Sequence, residues 1–441
     1  MRGTEAIHRA LAGSTKTERE RDYISALAVF YKDWQAVDHA TRAKAYEQAL
    51  DKIRERYPHD DEAAIFHALQ LVAIGYLDPS DKTYVWQKKG GEILNQLLPR
   101  HQNHPGVAHY VIHSLDYPST AELGLKAARA YAKIAPDSPH ALHMPSHIFT
   151  RLGLWDDSIA SNTASAKSAV EQARRLRGGG GAFDQLHAID YLVYAYLQQA
   201  QDQSALKALA EMAAITKLDE NQFAAAYAFA ASPARWALER HDWKAAAALE
   251  VKPAWFPWQR FRNAEALVHY AKAIGAARGG DAAAARRSAE EIATIRGALA
   301  AGRDYDWSGS ITAQFEAATA LIVFAEGKKE EGLRLLRTAA DHEDAIEKHP
   351  VTPGALLPVR EMLADLLLEN GAAAEALNRY EAVLQRAPRR FNATAGAARA
   401  ADGVGDKTKG RAFAMQLLDI AKNAEVSRPD LVWARAYLRK R

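Results

Sequence analysis

Apolar residues recur along almost the whole chain at intervals of three and four, the period of one helix face, and the strict alternation of a half-buried strand is scarce. Gly or Pro interrupts these runs at intervals. The stretch "LLLENGAAAEALNRYEAVLQRAP" is the clearest case, with two helical runs on either side of Gly371, Ala376 and Tyr380 in the second, and Pro388 at its end. Similar breaks stand in "RLGLWDDSIA", "ALERHDWKAAAALE", "GAARGGDAAAARRSAEE" and "VFAEGKKEEGLRLL". The pattern predicts an all-α chain of short antiparallel helix pairs. No run approaches 18 consecutive apolar residues, so no membrane span is expected.

The pairs repeat. "HPGVAHYVIHSLD" and "SPHALHMPSHIFT" align so that Pro105 and Pro139, His109 and His143, and His113 and His147 each stand 34 residues apart. Gly371 and Gly405 have the same separation, and other units are spaced more widely. Thirty-four residues is the length of the tetratricopeptide unit. Over most of its length the chain resembles the tetratricopeptide repeat superfamily. That resemblance implies a right-handed α-α superhelix, one continuous solenoid over residues 1–441. Residues 1–104 are expected to form N-terminal repeats, 105–210 histidine-rich central repeats, 211–350 degenerate middle repeats and 351–441 C-terminal repeats. A helix pair cannot bury its apolar face alone, so it stacks on its neighbours.

In the superfamily, the ligand-facing positions of the first helix are the second, fifth, ninth and twelfth, and the turn glycine is the fifteenth. With Gly153 as that glycine, the resemblance places His140, His143, His147 and Thr150 on the concave wall. One unit earlier it places Gly106, His109, His113 and Asp116 there. With Ala200 at the turn, the unit after the glycine run contributes His187, Asp190, Tyr194 and Leu197. At about 100° per residue, positions 140, 143 and 147 lie within roughly 60° of one another. Pro145 falls inside this helix and lacks an N–H, so it should break one backbone bond and bend the helix; it reads either as a tolerated irregularity or as a kink that re-aims His143 and His147.

A single histidine in a helix is usually packing or surface. Six of the chain's 16 on one expected face are a different matter, because a core is served better by apolar side chains. HxxxH puts two imidazoles one turn apart, a spacing suited to a divalent metal. His109/His113 and His143/His147 are the expected metal ligands. Asp116, His140, Thr150, His187, Asp190 and Tyr194 are the expected ligand-binding residues around them. Imidazole and carboxylate donors favour zinc, iron, copper or nickel over calcium or magnesium. Protonated histidines holding an anion are the alternative. Without HExxH, GxSxG or any cysteine, the zinc-peptidase, serine-hydrolase and thiol-nucleophile patterns are missing.

Composition narrows the partners. The formal charge is only +3, from 57 basic and 54 acidic side chains, which gives no electrostatic case for nucleic acid. The expected partner is a peptide, protein or small molecule in the concave groove. Zero cysteines exclude disulfides and thiolate metal sites. No apolar signal-peptide segment opens the chain, so a cytoplasmic location is expected.

Three further stretches draw attention. "KPAWFPWQRF" holds Trp255, Phe256, Trp258 and Phe261 and reads as a packed inter-repeat loop. "DHEDAIEKHPVTPG" holds His342, Glu343, Asp344 and His349 and reads as a helix end followed by a Pro-rich loop. The glycines at 178–181 lack the GK[ST] of a phosphate loop and read as a hinge or lid that delivers His187. Together, "HPGVAHYVIHSLDYP", "PHALHMPSHIFTRLG", "LHAIDYLVYAYLQ" and "KHPVTPGALLPVREMLADLLL" resemble a bacterial family of tetratricopeptide proteins of unassigned function. Members of that family tend to begin with a further repeat, often behind an export signal, and that first unit is expected to be missing here.

Overall fold

The computed structural model describes residues 2–13, 17–177, 179–299 and 307–439. Among them the secondary structure is helical apart from a single isolated bridge, Gly181 to Leu218. The chain divides into two compact units, Met1–Ala135 and Pro136–Arg441. No helix is long and apolar enough to cross a membrane.

The first unit contains α1 (Arg2–Ala12), α2 (Glu18–Tyr31), α3 (His39–Arg56), α4 (Asp61–Gly75), α5 (Val85–Leu97), α6 (Pro105–Leu115) and α7 (Ala121–Ile134). Each packs on the next, and α4 also packs on α6. Local sequence sets the helix starts. Thr17 and Glu20 form a reciprocal capping box, and Asp38 accepts from the Thr41 N–H. Pro105 occupies the first turn of α6, where its missing N–H costs nothing.

The second unit continues with α8 (Pro139–His143), α9 (Pro145–Arg151), α10 (Trp155–Arg177), α11 (Phe183–Gln198), α12 (Asp202–Ala213), α13 (Phe223–Leu238) and α14 (Trp243–Ala247). Next come α15 (Arg262–Arg278), α16 (Ala282–Leu299), α17 (Trp307–Ala325), α18 (Lys329–Ala345) and α19 (Val359–Glu369). The last four are α20 (Ala373–Arg386), α21 (Phe391–Gly403), α22 (Lys407–Ile420) and α23 (Pro429–Arg439). Helix pairs are the rule, as the repeat pattern predicts. The pair turns at Gly153, Ala200, His241, Gly280, Gly327, Gly371 and Gly405 all have positive φ. Glycine adopts that conformation at little cost, and Ala200 and His241 are held in it by their surroundings. Gly153 has a second constraint, because a Cβ there would lie 2.3 Å from the Pro388 carbonyl oxygen.

In this unit the first helices form an inner row. Helix α11 packs on α13, α13 on α15 and α15 on α17, while α19 packs on α21. Alanines at 225, 226, 228, 230, 231 and 234 bury almost completely and let these helices approach closely. The row then returns to its beginning, since α21 packs against α11. The Phe391 N–H donates to Gln198 Oε1 at 2.9 Å, and Trp155 Nε1 donates to the Arg389 carbonyl at 2.9 Å. Arg390, fully buried, holds Glu361 through two bonds of 2.6 and 2.8 Å and reaches Glu239 at 2.7 Å. The inner row of this unit is therefore bridged from its last first-helix, α21, back to α11.

Residues 346–358, between α18 and α19, make up an irregular strap that packs on this inner row. Arg235 donates to the carbonyls of Gly354 and Ala355, both at 2.7 Å, and Arg151 pairs with Glu347 at 2.7 Å. The aromatic loop behaves as expected: Trp255 and Phe256 pack on Phe229, and Phe256 also packs on Trp258 and Phe261. Within the glycine run, Gly178 lies outside the described residues. Gly181 is pinned, since its N–H donates to the Lys217 carbonyl and its carbonyl accepts from Asp219, each at 3.0 Å.

Candidate histidine site

Pro145 decides the local geometry. It ends α8 at His143 and opens α9, with Met144 as the joint between them. The two imidazoles of this HxxxH pair meet edge to face, with His143 Nε2 3.0 Å from His147 Nε2. Helix α11 supplies His187, whose ring centroid lies 4.1 Å from that of His143. His143, His147 and His187 are 2, 3 and 9% exposed, and one ring nitrogen from each lies within 4.8 Å of the others.

The tautomer of His143 follows from its partners. His143 Nδ1 lies 2.7 Å from Asn162 Oδ1, while Asn162 Nδ2 donates to the Ser158 carbonyl at 2.8 Å. The amide is thereby oriented with its oxygen towards the ring, so Nδ1 carries the proton and the Nε2 lone pair points at His147. Tyr191 closes the group, with its hydroxyl 3.4 Å from His147 Nδ1 and its ring edge-on to His143. Burial holds His143 and His187 neutral, pushing both well below the usual imidazole range, and the neighbouring imidazoles push in the same direction.

Such a group can bind a cation. Two nitrogens bound to one tetrahedral zinc at about 2.05 Å stand roughly 3.3 Å apart, close to the His143–His147 separation. The Asn162 carbonyl on the far nitrogen of His143 is the support that metal-bound imidazoles ordinarily have. A Nε2–H···Nε2 hydrogen bond between the same two rings is the competing use of this geometry.

The remaining expected residues are distributed as follows. His140 is exposed on α8. Thr150 and Tyr194 are buried and line a cavity in the second unit. Asp190 is buried beside Arg235 at 3.5 Å and Ser232 at 3.4 Å, and burial pushes its carboxyl up to about 6 despite the arginine. His109 and His113 face each other on α6 in the first unit, with ring centroids 4.7 Å apart. His109 also stacks on Tyr131, and the Tyr76 hydroxyl donates to the His113 carbonyl. Asp116, buried, caps the C-terminus of α6. The expected four-histidine shell draws one pair from each unit, and within the second unit the partner of His143 and His147 is His187. Sequence reasoning missed Asn162 and Tyr191. "SNTAS" carries no motif, and Tyr191 could have been found only as the residue one turn after His187.

No family model matches the chain, and neither does any curated protein. Solved structures similar to it include yeast Tom70, at 12% identity over 95% of this chain and 96% of that one, with a TM-score of 0.32. The P58(IPK) TPR domain is 13% identical over 87% of this chain and 100% of its own, with a TM-score of 0.23. Naa15/Naa10 bound to HypK-THB gives 13% identity, 99% and 83% coverage and a TM-score of 0.19. At these values the likenesses carry no inference about ligand or partner.

Proposed function

We propose that this protein is a metal-binding helical-repeat protein in which His143, His147 and His187 ligate one divalent transition-metal ion. The observation that carries the reading is the convergence of three buried imidazoles, with His143 oriented through Nδ1 by Asn162 so that its Nε2 lone pair faces His147. A purely structural cluster would be expected to use apolar residues at these positions. The all-nitrogen donor set favours zinc, copper, nickel or iron(II) over magnesium or calcium. Three protein ligands leave a coordination position open, as in catalytic zinc sites. A small closure of the His187 ring towards the other two completes the set.

Elemental analysis of protein purified without a histidine tag tests this. One equivalent of a transition metal is expected in the wild type. It should fall to background in His143→Ala/His147→Ala while the helical circular dichroism is kept. Equal metal in the two proteins would sink the proposal, as would failure of the wild type to take up added zinc above the variant's level. The second outcome would leave the N–H···N bond as the role of the pair.

A further inference from the structure

The first unit carries a cleft of about 470 Å³ between the loop that joins α5 to α6 and one edge of α7. Its helix side holds Lys126, Arg129 and Lys133, all three exposed. Pro99, Ala130 and Ile134 add apolar surface between the two sides, and no acidic residue lines the cleft.

The placement of the cations follows from how α7 packs. Ala121, Gly124, Ala127, Ala128 and Tyr131 are its buried face, which turns positions 126, 129 and 133 outward in one stripe. At 1.5 Å per residue the stripe is about 10.5 Å long. Like charges three and four residues apart destabilise a helix. Other helix faces of this protein place opposite signs at that spacing, as in Arg54 with Asp51, Arg174 with Glu171 and Arg379 with Glu375. On α7 the one acid is Glu122, which is exposed and stands four residues before Lys126. Among the described residues, Glu122, Lys126 and Lys133 enter no ion pair.

The acids of the neighbouring elements do not balance this stripe. Asp61 takes Arg100 and His101, and Glu62 takes His104, all on the far side of the loop's charge. Glu92 on α5 is exposed and Asp116 at the end of α6 is buried, and neither belongs to the wall. A concave wall of one sign concentrates counter-ions. An occupant must bring about three negative charges into a small space. A phosphate ester carries about −1.5 to −2 and three acceptor oxygens, so two or three such groups suffice. Lysine meets phosphate as a point charge and needs no planar partner. At roughly 30 Å³ per water the cleft has the volume of about fifteen waters, enough for a ring beside a short phosphate chain.

We propose that this cleft binds a small organic polyphosphate, with its phosphates on Lys126, Arg129 and Lys133 and its ring on Pro99, Ala130 and Ile134. The site lies within the first unit and requires neither the metal nor the histidines.

Calorimetric titration of the full chain, treated with chelator and kept free of magnesium, against ATP, tripolyphosphate and adenosine tests it. At about 50 mM salt ATP is expected to bind with a Kd below about 100 µM, tripolyphosphate about tenfold more weakly, and adenosine not measurably. Lys126→Glu/Lys133→Glu should weaken ATP binding at least about tenfold. Lys44→Glu/Lys52→Glu makes the same charge change at exposed positions of α3 and should stay within about twofold of the wild type. Circular dichroism checks the fold of both variants. In the wild type, raising salt to about 500 mM should itself weaken ATP binding at least about tenfold. The proposal is overturned if ATP gives no binding at about 1 mM, or if salt leaves its affinity unchanged. It is overturned equally if tripolyphosphate binds as tightly as ATP, or if the two double variants lose affinity to the same extent.

Discussion

Asn162 is the most informative position to perturb, because it touches the histidine site without being one of its proposed ligands. Its side chain is fully buried, accepting from His143 Nδ1 at 2.7 Å and donating to the Ser158 carbonyl at 2.8 Å. Asn162→Ala leaves the Nδ1–H without a partner and lets the ring rotate or change tautomer. Losing such a support typically costs ten- to a hundredfold in metal affinity, about 1.4–2.7 kcal/mol. Asn162→Asp keeps the acceptor and makes it anionic, which raises the basicity of His143 Nε2, so its zinc affinity should exceed that of the alanine variant. Competition against a chromophoric chelator at fixed pH measures all three affinities, with circular dichroism confirming the fold. If both variants stay within about threefold of the wild type, His143 is not a ligand in the assigned tautomer and the argument fails. In a purely hydrogen-bonded cluster, Asn162→Ala would instead lower the stability of the metal-free protein by about 1–3 kcal/mol and leave metal uptake unchanged.

Three other consequences can be checked. Arg390→Met strands Glu361 and Glu239 in the buried interior, so it should destabilise the second unit by about 3–5 kcal/mol in urea unfolding, and adding Glu361→Gln should recover part of this; a single-variant loss under about 1 kcal/mol would show that the ring does not depend on this pair. Gly153→Ala, at a φ of 66° with the Pro388 oxygen 2.3 Å from the new Cβ, should lower Tm more than Gly371→Ala, where φ is 82° and the space is open; equal losses would refute the close approach of that turn to residue 388. Burial pushes the Glu343 carboxyl up to about 7 from an ordinary 4.5, so between those values the folded protein holds the extra proton and stability falls as pH rises, by at most about 1.4 kcal/mol per pH unit; Glu343→Gln should flatten that slope, and an unchanged slope in urea titrations from pH 5 to 7 would place the titration elsewhere.

The sequence by itself determined the local structure. Helical periodicity, prolines in the first turns and breaker residues at the pair turns define short-range preferences, and short-range preferences are enough to make helix pairs. The seven pair turns named above, from Gly153 to Gly405, are left-handed in the structure, including Ala200, whose type gives no hint of it. The register singled out six histidines, at 109, 113, 140, 143, 147 and 187, without saying which of them meet. Tertiary structure alone decided what those residues meet. The fold sets the two Nε2 atoms 3.0 Å apart, and α10 returns Asn162 to His143 from 19 residues away. Closure of the second unit depends on contacts such as Arg390 with Tyr194, 196 residues apart, which no periodicity encodes. The strap, which holds His349 and follows Glu343 at the end of α18, reads from sequence as a loop after a helix end. It becomes the wall of a cavity only because buried Arg235 satisfies its carbonyls inside the ring.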